Sequence, residues 1–387
     1  MIKRILADKA VLLSRKYPVV TITGPRQSGK TTLVQYVFKD HLYFTLENPE
    51  TRSLVQNDPN GFFTTHKNKK LIIDEIQYIP EVLSYIQVIT DKEKITGQFI
   101  LTGSQSLVLS EQISQTLAGR TAILKLLPFS LDELNNKAFK HRKFEEWIFR
   151  GFYPRIYDRD IEPESFYPFY FETYVQRDVR QIQNIRDLTL FSNFVRLCAG
   201  RIGQLLDYSS LANDTGVSVN TVKGWLAVLE ASFVIFLLHP YYRNFNKRIV
   251  KSPKLYFTDT GLASFLLNIK DPEQIKTHYL KGGLFENFII VELLKSRYNK
   301  AETPNLWFFR DNNRNEIDCI IENIQLKALE IKSSQTFSDN FIRGLDFLIK
   351  HANLRSNQGY VIYGGHESFI YKGKNVLSWK DLEKIHS

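Results

Sequence analysis

Five apolar runs punctuate the first 135 residues: Tyr17–Gly24 (YPVVTITG), His41–Glu47 (HLYFTLE), Lys70–Ile76 (KLIIDEI), Gly97–Ser104 (GQFILTGS) and Thr121–Phe129 (TAILKLLPF). Between them lie amphipathic stretches such as Thr31–Phe38 (TTLVQYVF). Runs that stay apolar rather than alternating, separated by helical segments, predict a parallel sheet covered on both faces. From about Lys137 to Asn193 the chain turns aromatic and charged (WIFRGFYPRIY, FYPFYFETYVQRDVRQIQ) without strand alternation, and reads as helical. Residues 194–280 read as helix, turn, helix and β-hairpin, and residues 283–365 restart with helix, three strands, helix and strand. The expected architecture is α/β: a parallel-sheet domain over 1–135, a helical segment over 136–193, a helix-turn-helix with a hairpin over 194–280 and a second α/β domain over 281–387.

The sharpest chemical signal is Gly24-Pro25-Arg26-Gln27-Ser28-Gly29-Lys30-Thr31, a G-x-x-x-x-G-K-[ST] loop between an apolar strand and a helix. Its glycines let backbone N–H groups and the helix N-terminus face phosphates, with Lys30 reaching the β and γ oxygens. Thr31 is assigned to Mg²⁺, and Thr32 completes the expected nucleotide-binding set. About forty residues on, Leu71-Ile72-Ile73-Asp74-Glu75 is an apolar strand ending in two acids. Asp74 is assigned to Mg²⁺ through water and Glu75 to general-base polarisation of the attacking water. Ser104, after the next strand, is the candidate γ-phosphate sensor. Arg120 is a candidate for neutralising transition-state charge, in its own subunit or a neighbour's, with a surface salt bridge as the plain alternative. Arg177 is a second such arginine, with Asp178 beside it as a ready structural partner.

Composition adjusts this picture modestly. The longest strongly apolar run, Ala231–Leu238, is far short of the ~20 residues of a membrane helix, and the N-terminus does not read as a signal peptide. A cytoplasmic location with no membrane association is the expectation. Cys198 and Cys319 are too few for a disulfide framework or zinc cluster and sit in apolar surroundings. The formal charge is +10, distributed as +3 over 1–135 (16 basic, 13 acidic), +6 over 136–282 (21 and 15) and +1 over 283–387 (14 and 13).

These strings resemble prokaryotic AAA-type ATPases of the STAND and archaeal-ATPase-like group. The resemblance rests on GPRQSGKTTL, IIDEIQ, FILTGSQS, LAGRT and LPFSLDEL, then YVQRDV, YSSLANDTGVS and VKSPKLYFTDTGL. It implies ATP as the nucleotide and a sensor at the end of the strand after the Asp74–Glu75 pair.

In the middle segment, Asp207–Ser218 followed by Val219–Leu229 has helix-turn-helix spacing, with Ser218 capping the second helix. That places Asn220, Thr221 and Lys223 where a recognition helix meets DNA. Arg243, Lys247, Arg248, Lys251 and Lys254, interleaved with Tyr241, Tyr242 and Phe245, read as a basic wing for phosphates. Nucleic acid, DNA first, is the expected partner; a winged helix that merely packs beside the ATPase is the alternative, and protein partners and self-assembly stay open. Downstream, Asp318 and Glu330-Ile331-Lys332 form a D…E-x-K pattern that resembles the PD-(D/E)XK nuclease fold, though Asp318 has no proline before it; with the P-loop NTPase domain over 1–135 and a winged helix-turn-helix over 194–280, the resemblance implies an α/β restriction-endonuclease-like domain over 281–387. Strand alternation puts Glu330 and Lys332 on one face, and hairpin pairing brings Asp318 beside them. Asp318, Glu330 and Glu286 are the expected Mg²⁺ ligands, Lys332 the residue that orients or activates water, and Glu316 a candidate fifth member. A nuclease fold without cleavage, serving an ATP-switched interaction protein, is the competing reading.

Overall fold

The computed structural model describes residues 2–385 except 105–111, 114, 135–141, 180–184, 186, 243–249 and 353, and of residues 177–179 it describes the backbone alone. Arg243, Lys247, Arg248 and Phe245 therefore lie outside the described residues, as does the Arg177 side chain.

The five apolar runs form one parallel sheet: β1 (Val19–Thr23), β2 (Leu42–Thr45), β3 (Leu71–Asp74), β4 (Phe99–Gly103) and β5 (Thr121–Lys125), in the order β2-β3-β4-β1-β5. Both faces are covered. Val19, Ile73, Phe99 and Leu101 pack into one core, and Val20, Ile22, Ile72 and Ile100 into the other, so β1, β3 and β4 are apolar on both sides of the sheet. Thr21 is wholly buried in β1 and meets Thr121 hydroxyl to hydroxyl at 2.9 Å, which satisfies both polar atoms.

A large core then runs from Leu127 through the middle segment into the C-terminal part. Its helices include Phe144–Arg150, Pro163–Tyr170, Leu188–Ala199, Tyr208–Thr215 and Val219–Ala231. The antiparallel pair β6 (Ile235–Leu238) and β7 (Lys254–Phe257) follows. Phe191, Phe194 and Trp225 meet edge-on at 5.2–5.3 Å between Trp225 and each phenyl ring.

The 19-residue Lys281–Asn299 helix leads into a separate six-stranded mixed sheet. It contains β8 (Leu306–Arg310), β9 (Glu316–Glu322), β10 (Leu326–Lys332), β11 (Gly359–Tyr363), β12 (Phe369–Tyr371) and β13 (Lys374–Ser378), ordered β12-β13-β11-β10-β9-β8. Leu329, Ile331 and Ile362 join the large core, whereas Ala328, Val361 and Val376 pack with Leu345 and Leu348 of the Arg343–His351 helix. The expected helix, three strands, helix and strand are present; β12 and β13 come after them. They are hard to see in sequence because β12 has three residues and exposes Phe369 and Ile370.

Candidate functional site

The phosphate loop leaves β1 at Thr23 and closes at Lys30, the first residue of the Lys30–Val37 helix. Two positions need glycine for different reasons. A Cβ on Gly24 would lie 2.1 Å from the Leu126 carbonyl oxygen, and Gly29 holds φ at 91°, in the left-handed region. Pro25 and Ser28 are buried, Arg26 and Gln27 half-buried, and Thr32 exposed on the helix's first turn. Lys30 is buried, and its Nζ donates to the carbonyl oxygens of Gly24 (3.0 Å) and Pro25 (2.9 Å). Burial lowers the Lys30 pKa, while Glu75 and Asp74 pull it back up. The Ser28 hydroxyl and the Gln27 side-chain carbonyl are buried with no hydrogen-bond partner among the described residues. Unsatisfied polar groups inside a phosphate loop fit a loop built to meet a polar ligand.

Asp74, the last residue of β3, is buried and collects three hydroxyls. Thr31 donates to its Oδ2 at 2.8 Å, Tyr43 donates to the same oxygen at 2.7 Å, and Thr102 donates to Oδ1. Burial first, and then the bond to Asp74, push the Tyr43 phenol well above its usual pKa, so it stays a donor. Beyond β3 the backbone turns at Glu75 through φ 60° and ψ 49°. The Gln77 side-chain amide bridges Glu75 Oε2 and Ser104 Oγ, the latter at 3.0 Å. Lys30, Thr31, Asp74, Glu75 and Ser104 thus come together at the C-terminal ends of β1, β3 and β4, where open parallel sheets hold their ligands. The residues fit a nucleotide with its cation: Lys30 and the loop amides would take phosphate oxygens, and Thr31 and Asp74 supply hard oxygen donors.

Sequence reading missed Tyr43, Thr102, Gln77 and Arg4. Arg4, only 5 % exposed, donates to the Ser28 carbonyl of the phosphate loop (2.8 Å), to the Leu127 carbonyl (2.6 Å) and to Glu133 (3.0 Å). Nothing local marks these residues, since each acts on a partner 24 or more positions away, save Gln77 beside Glu75.

Arg120 requires a correction. It precedes β5, whose Thr121 pairs with Val19 and whose Lys125 pairs with Thr23, so Arg120 sits at the opposite end of the sheet from the phosphate loop. A five-residue strand separates the two by roughly 16 Å. Its guanidinium instead makes the surface salt bridge of the plain alternative, bidentate to Asp91 at 2.7 and 2.9 Å, and its place at the far end of the sheet does not fit a transition-state role in its own subunit.

In the middle segment the Tyr208–Thr215 helix ends on Gly216 with φ 75°, and the Ser218 hydroxyl caps the Val219–Ala231 helix by accepting from the Thr221 amide at 3.1 Å. Asn220 and Lys223 are exposed, Thr221 is half-buried, and Lys251 is exposed. Lys254, expected on a solvent-facing wing, points inward with 2 % exposure.

The D…E-x-K residues are brought together as the hairpin predicts. Lys332 Nζ lies 3.0 Å from Asp318 Oδ2 and 2.5 Å from Glu330 Oε2. Lys254 Nζ fills the other side, 2.9 Å from Glu286 Oε1, 2.5 Å from Glu316 Oε1 and 3.9 Å from Asp318 Oδ1. Burial alone would lower both lysines, but the carboxylates outweigh it and hold both well above the usual value. Burial and the adjacent Asp318 push Glu330 far above the carboxylate range, whereas Lys332 and Lys254 hold Asp318 below it despite its burial. The expected Mg²⁺ set of Glu286, Asp318 and Glu330 does not fit a metal here. Two ammonium groups already sit among these oxygens, and with both lysines in place no group of three His, Cys, Asp or Glu among the described residues is arranged to hold an ion. Lys332, protonated and doubly paired, is likewise not a water-activating base.

Comparison with known proteins bears on each part separately. Residues 16–135 match the family model described as AAA domain. The parallel sheet with its phosphate loop accordingly fits a P-loop NTPase domain of the AAA type. Residues 141–273 and 281–382 match two further models, described as domain of unknown function DUF8612 and domain of unknown function DUF4143. Uncharacterized protein Rv2008c of Mycobacterium tuberculosis is 29 % identical over 321 residues, covering 81 % of this chain and 70 % of the relative. Uncharacterized protein MJ1544 of Methanocaldococcus jannaschii is 24 % identical, covering 94 % and 88 %. Among solved structures, the Walker-type ATPase PABY2304 of Pyrococcus abyssi aligns with a TM-score of 0.46 at 14 % identity, over 69 % of this chain and 96 % of that one.

Proposed function

We propose that the protein is a Mg²⁺-dependent ATP hydrolase whose nucleotide state is passed to a nucleic-acid-binding middle segment and to a C-terminal sheet that does not cleave. The carrying observation is the convergence of Lys30, Thr31, Asp74, Glu75 and Ser104 at one end of the parallel sheet. Lys30 would leave the Gly24 and Pro25 carbonyls for phosphate oxygens, Glu75 would orient the attacking water, and Ser104 would donate to the γ-phosphate. Thr31 and Asp74 would hold Mg²⁺, which would supply charge neutralisation to the phosphates. Gln77, holding Glu75 and Ser104 together, keeps base and sensor in register.

ATP turnover and nucleotide affinity of the wild type, Lys30→Ala and Glu75→Gln test this. Glu75→Gln is expected to keep nucleotide binding and lose about 10²–10⁴ in kcat, the span of a general base, whereas Lys30→Ala loses both. Wild-type turnover in Glu75→Gln would sink the assignment.

Exposed Asn220 and Lys223 on the first turns of a capped helix, exposed Lys251 before β7 and the +6 balance over 136–282 support the nucleic-acid reading. Duplex DNA should bind with an affinity that falls steeply between about 50 and 200 mM salt, with a shallower slope in Lys223→Ala. Fluorescence anisotropy showing no binding at the lower salt would remove DNA from the function. The cleavage reading of the C-terminal sheet yields to the interaction reading because lysines already fill its carboxylate cluster.

A further inference from the structure

β7 belongs to the middle segment, yet its first residue delivers a cation into the C-terminal sheet. Lys254 is 2 % exposed, and its Nζ touches Glu286 from the Lys281–Asn299 helix and Glu316 and Asp318 from β9. Tyr256, two residues along β7 and so on the same side, donates its hydroxyl to Glu286 Oε1 at 2.5 Å. Phe308 closes the pocket, its ring centre 5.6 Å from the Lys254 nitrogen.

Five of the eight carboxylate oxygens in the cluster have an ammonium, guanidinium, hydroxyl or amide partner within 3.0 Å. Glu286 Oε1 takes Lys254 and Tyr256, and Glu316 splits between Lys254 on Oε1 and Arg310 on Oε2, the latter at 2.8 Å. Asp318 Oδ2 takes Lys332 and the Ile331 amide at 2.8 Å, and Glu330 Oε2 takes Lys332. Four acidic side chains thus face three basic ones. A hard divalent cation needs about six oxygens within roughly 2.0–2.6 Å and no positive charge among them. This cluster offers those oxygens to ammonium and guanidinium groups instead.

We propose that Lys254 is a built-in cation that occupies the carboxylate cluster in place of a divalent metal, pinning β7 to the C-terminal sheet and closing the cluster to metal in the folded chain. The cluster takes up a divalent ion only if β7 withdraws its first side chain. This stands apart from the nucleotide site, whose own Mg²⁺ requirement is carried by Thr31 and Asp74, so failure of either leaves the other intact.

Mn²⁺ binding counted by electron paramagnetic resonance on the nucleotide-free full chain tests it, because the nucleotide-site contribution is common to every variant. The wild type and Asp318→Asn should bind the same number of Mn²⁺ ions. Lys254→Met should gain about one ion per chain at millimolar free metal, the regime of weak oxygen sites, and Lys254→Met/Asp318→Asn should lose it again. A wild-type Mn²⁺ that disappears in Asp318→Asn would overturn the proposal, as would a folded Lys254→Met that gains none. Folding is checked by circular dichroism. Should Lys254→Met not fold, Lys254→Gln takes its place, and the wild-type comparison with Asp318→Asn decides by itself whether the cluster holds metal.

Discussion

Arg4 shows how one side chain can serve both stability and site geometry. It bridges the phosphate loop, the segment after β5 and Glu133, with both charges essentially out of water. Burial lowers the Arg4 pKa and Glu133 restores part of it, so the pair is worth keeping only while both partners are present. Arg4→Ala strands a buried carboxylate, and we expect a loss of about 3–5 kcal/mol in urea unfolding together with weaker nucleotide binding. A loss under about 1 kcal/mol would mean that the pair is solvated. His41 offers a pH-dependent counterpart. Burial lowers its pKa below the usual ~6.5, although its Nε2 contact with the Gly97 carbonyl (2.8 Å) opposes this. The unfolded chain therefore takes up the proton first, and stability should fall as pH drops from above ~6.5 towards the lower folded value. His41→Gln should flatten that slope, read as the difference between urea midpoints at pH 7.5 and 5.5; an unchanged slope would assign it elsewhere.

At the scale of elements, the turn between Tyr208–Thr215 and Val219–Ala231 is set by Gly216 and Ser218. A Cβ on Gly216 would meet nothing within 4 Å, so Gly216→Ala carries only the backbone cost of a left-handed residue, roughly 1–2 kcal/mol. Gly216→Asn should cost less, since asparagine tolerates that region. Equal midpoints for the two variants in chemical denaturation would contradict a purely conformational origin. The central strands β1, β3 and β4 were legible in sequence because strands buried on both faces are largely apolar, and the edge strands β2 and β5, which expose Leu42 and Ile123, keep enough apolar positions to read the same way. The Pro49–Asn57 and Pro59–Thr65 helices were not picked out, although Asn48 and Asp58 cap them just before a proline, because both are short and expose much of their surface.

Across the whole molecule, the Lys281–Asn299 helix touches both ends of the apparatus. Near its start, Glu286 meets Lys254 and Asn287 exchanges two hydrogen bonds with the Phe257 backbone at 2.7 and 2.8 Å. Further along, Glu292 accepts from the Leu131 amide (2.6 Å) and Lys295 donates to the Phe129 carbonyl (2.8 Å). The 127–133 segment in turn holds Arg4, and Arg4 holds the Ser28 carbonyl, so hydrogen bonds joined by the 127–133 backbone and by the helix itself connect the phosphate loop with the carboxylate cluster. If nucleotide state travels along this route, a non-hydrolysable ATP analogue should change hydrogen exchange within 281–299, and Lys295→Met should abolish that change while leaving nucleotide affinity intact. Exchange confined to the parallel sheet would break the link. Among the described residues no helix is long and apolar enough to cross a membrane.

What the sequence determined by itself was local: the phosphate loop, the Asp74–Glu75 pair at a strand end, the capped helix pair and the D…E-x-K spacing all lie within short stretches of chain. Backbone chemistry and side-chain period fix such features without reference to anything distant. Tertiary structure decided what each charge faces. Strand order and parallel register put Arg120 at the far end of the sheet and gathered Tyr43 and Thr102 onto Asp74. The packing of β7 against the Lys281–Asn299 helix turned Lys254 from an expected solvent-facing cation into the ion inside the carboxylate cluster. Such pairings join residues tens of positions apart, and a charge in water and a charge in a buried cluster look the same in one-dimensional sequence.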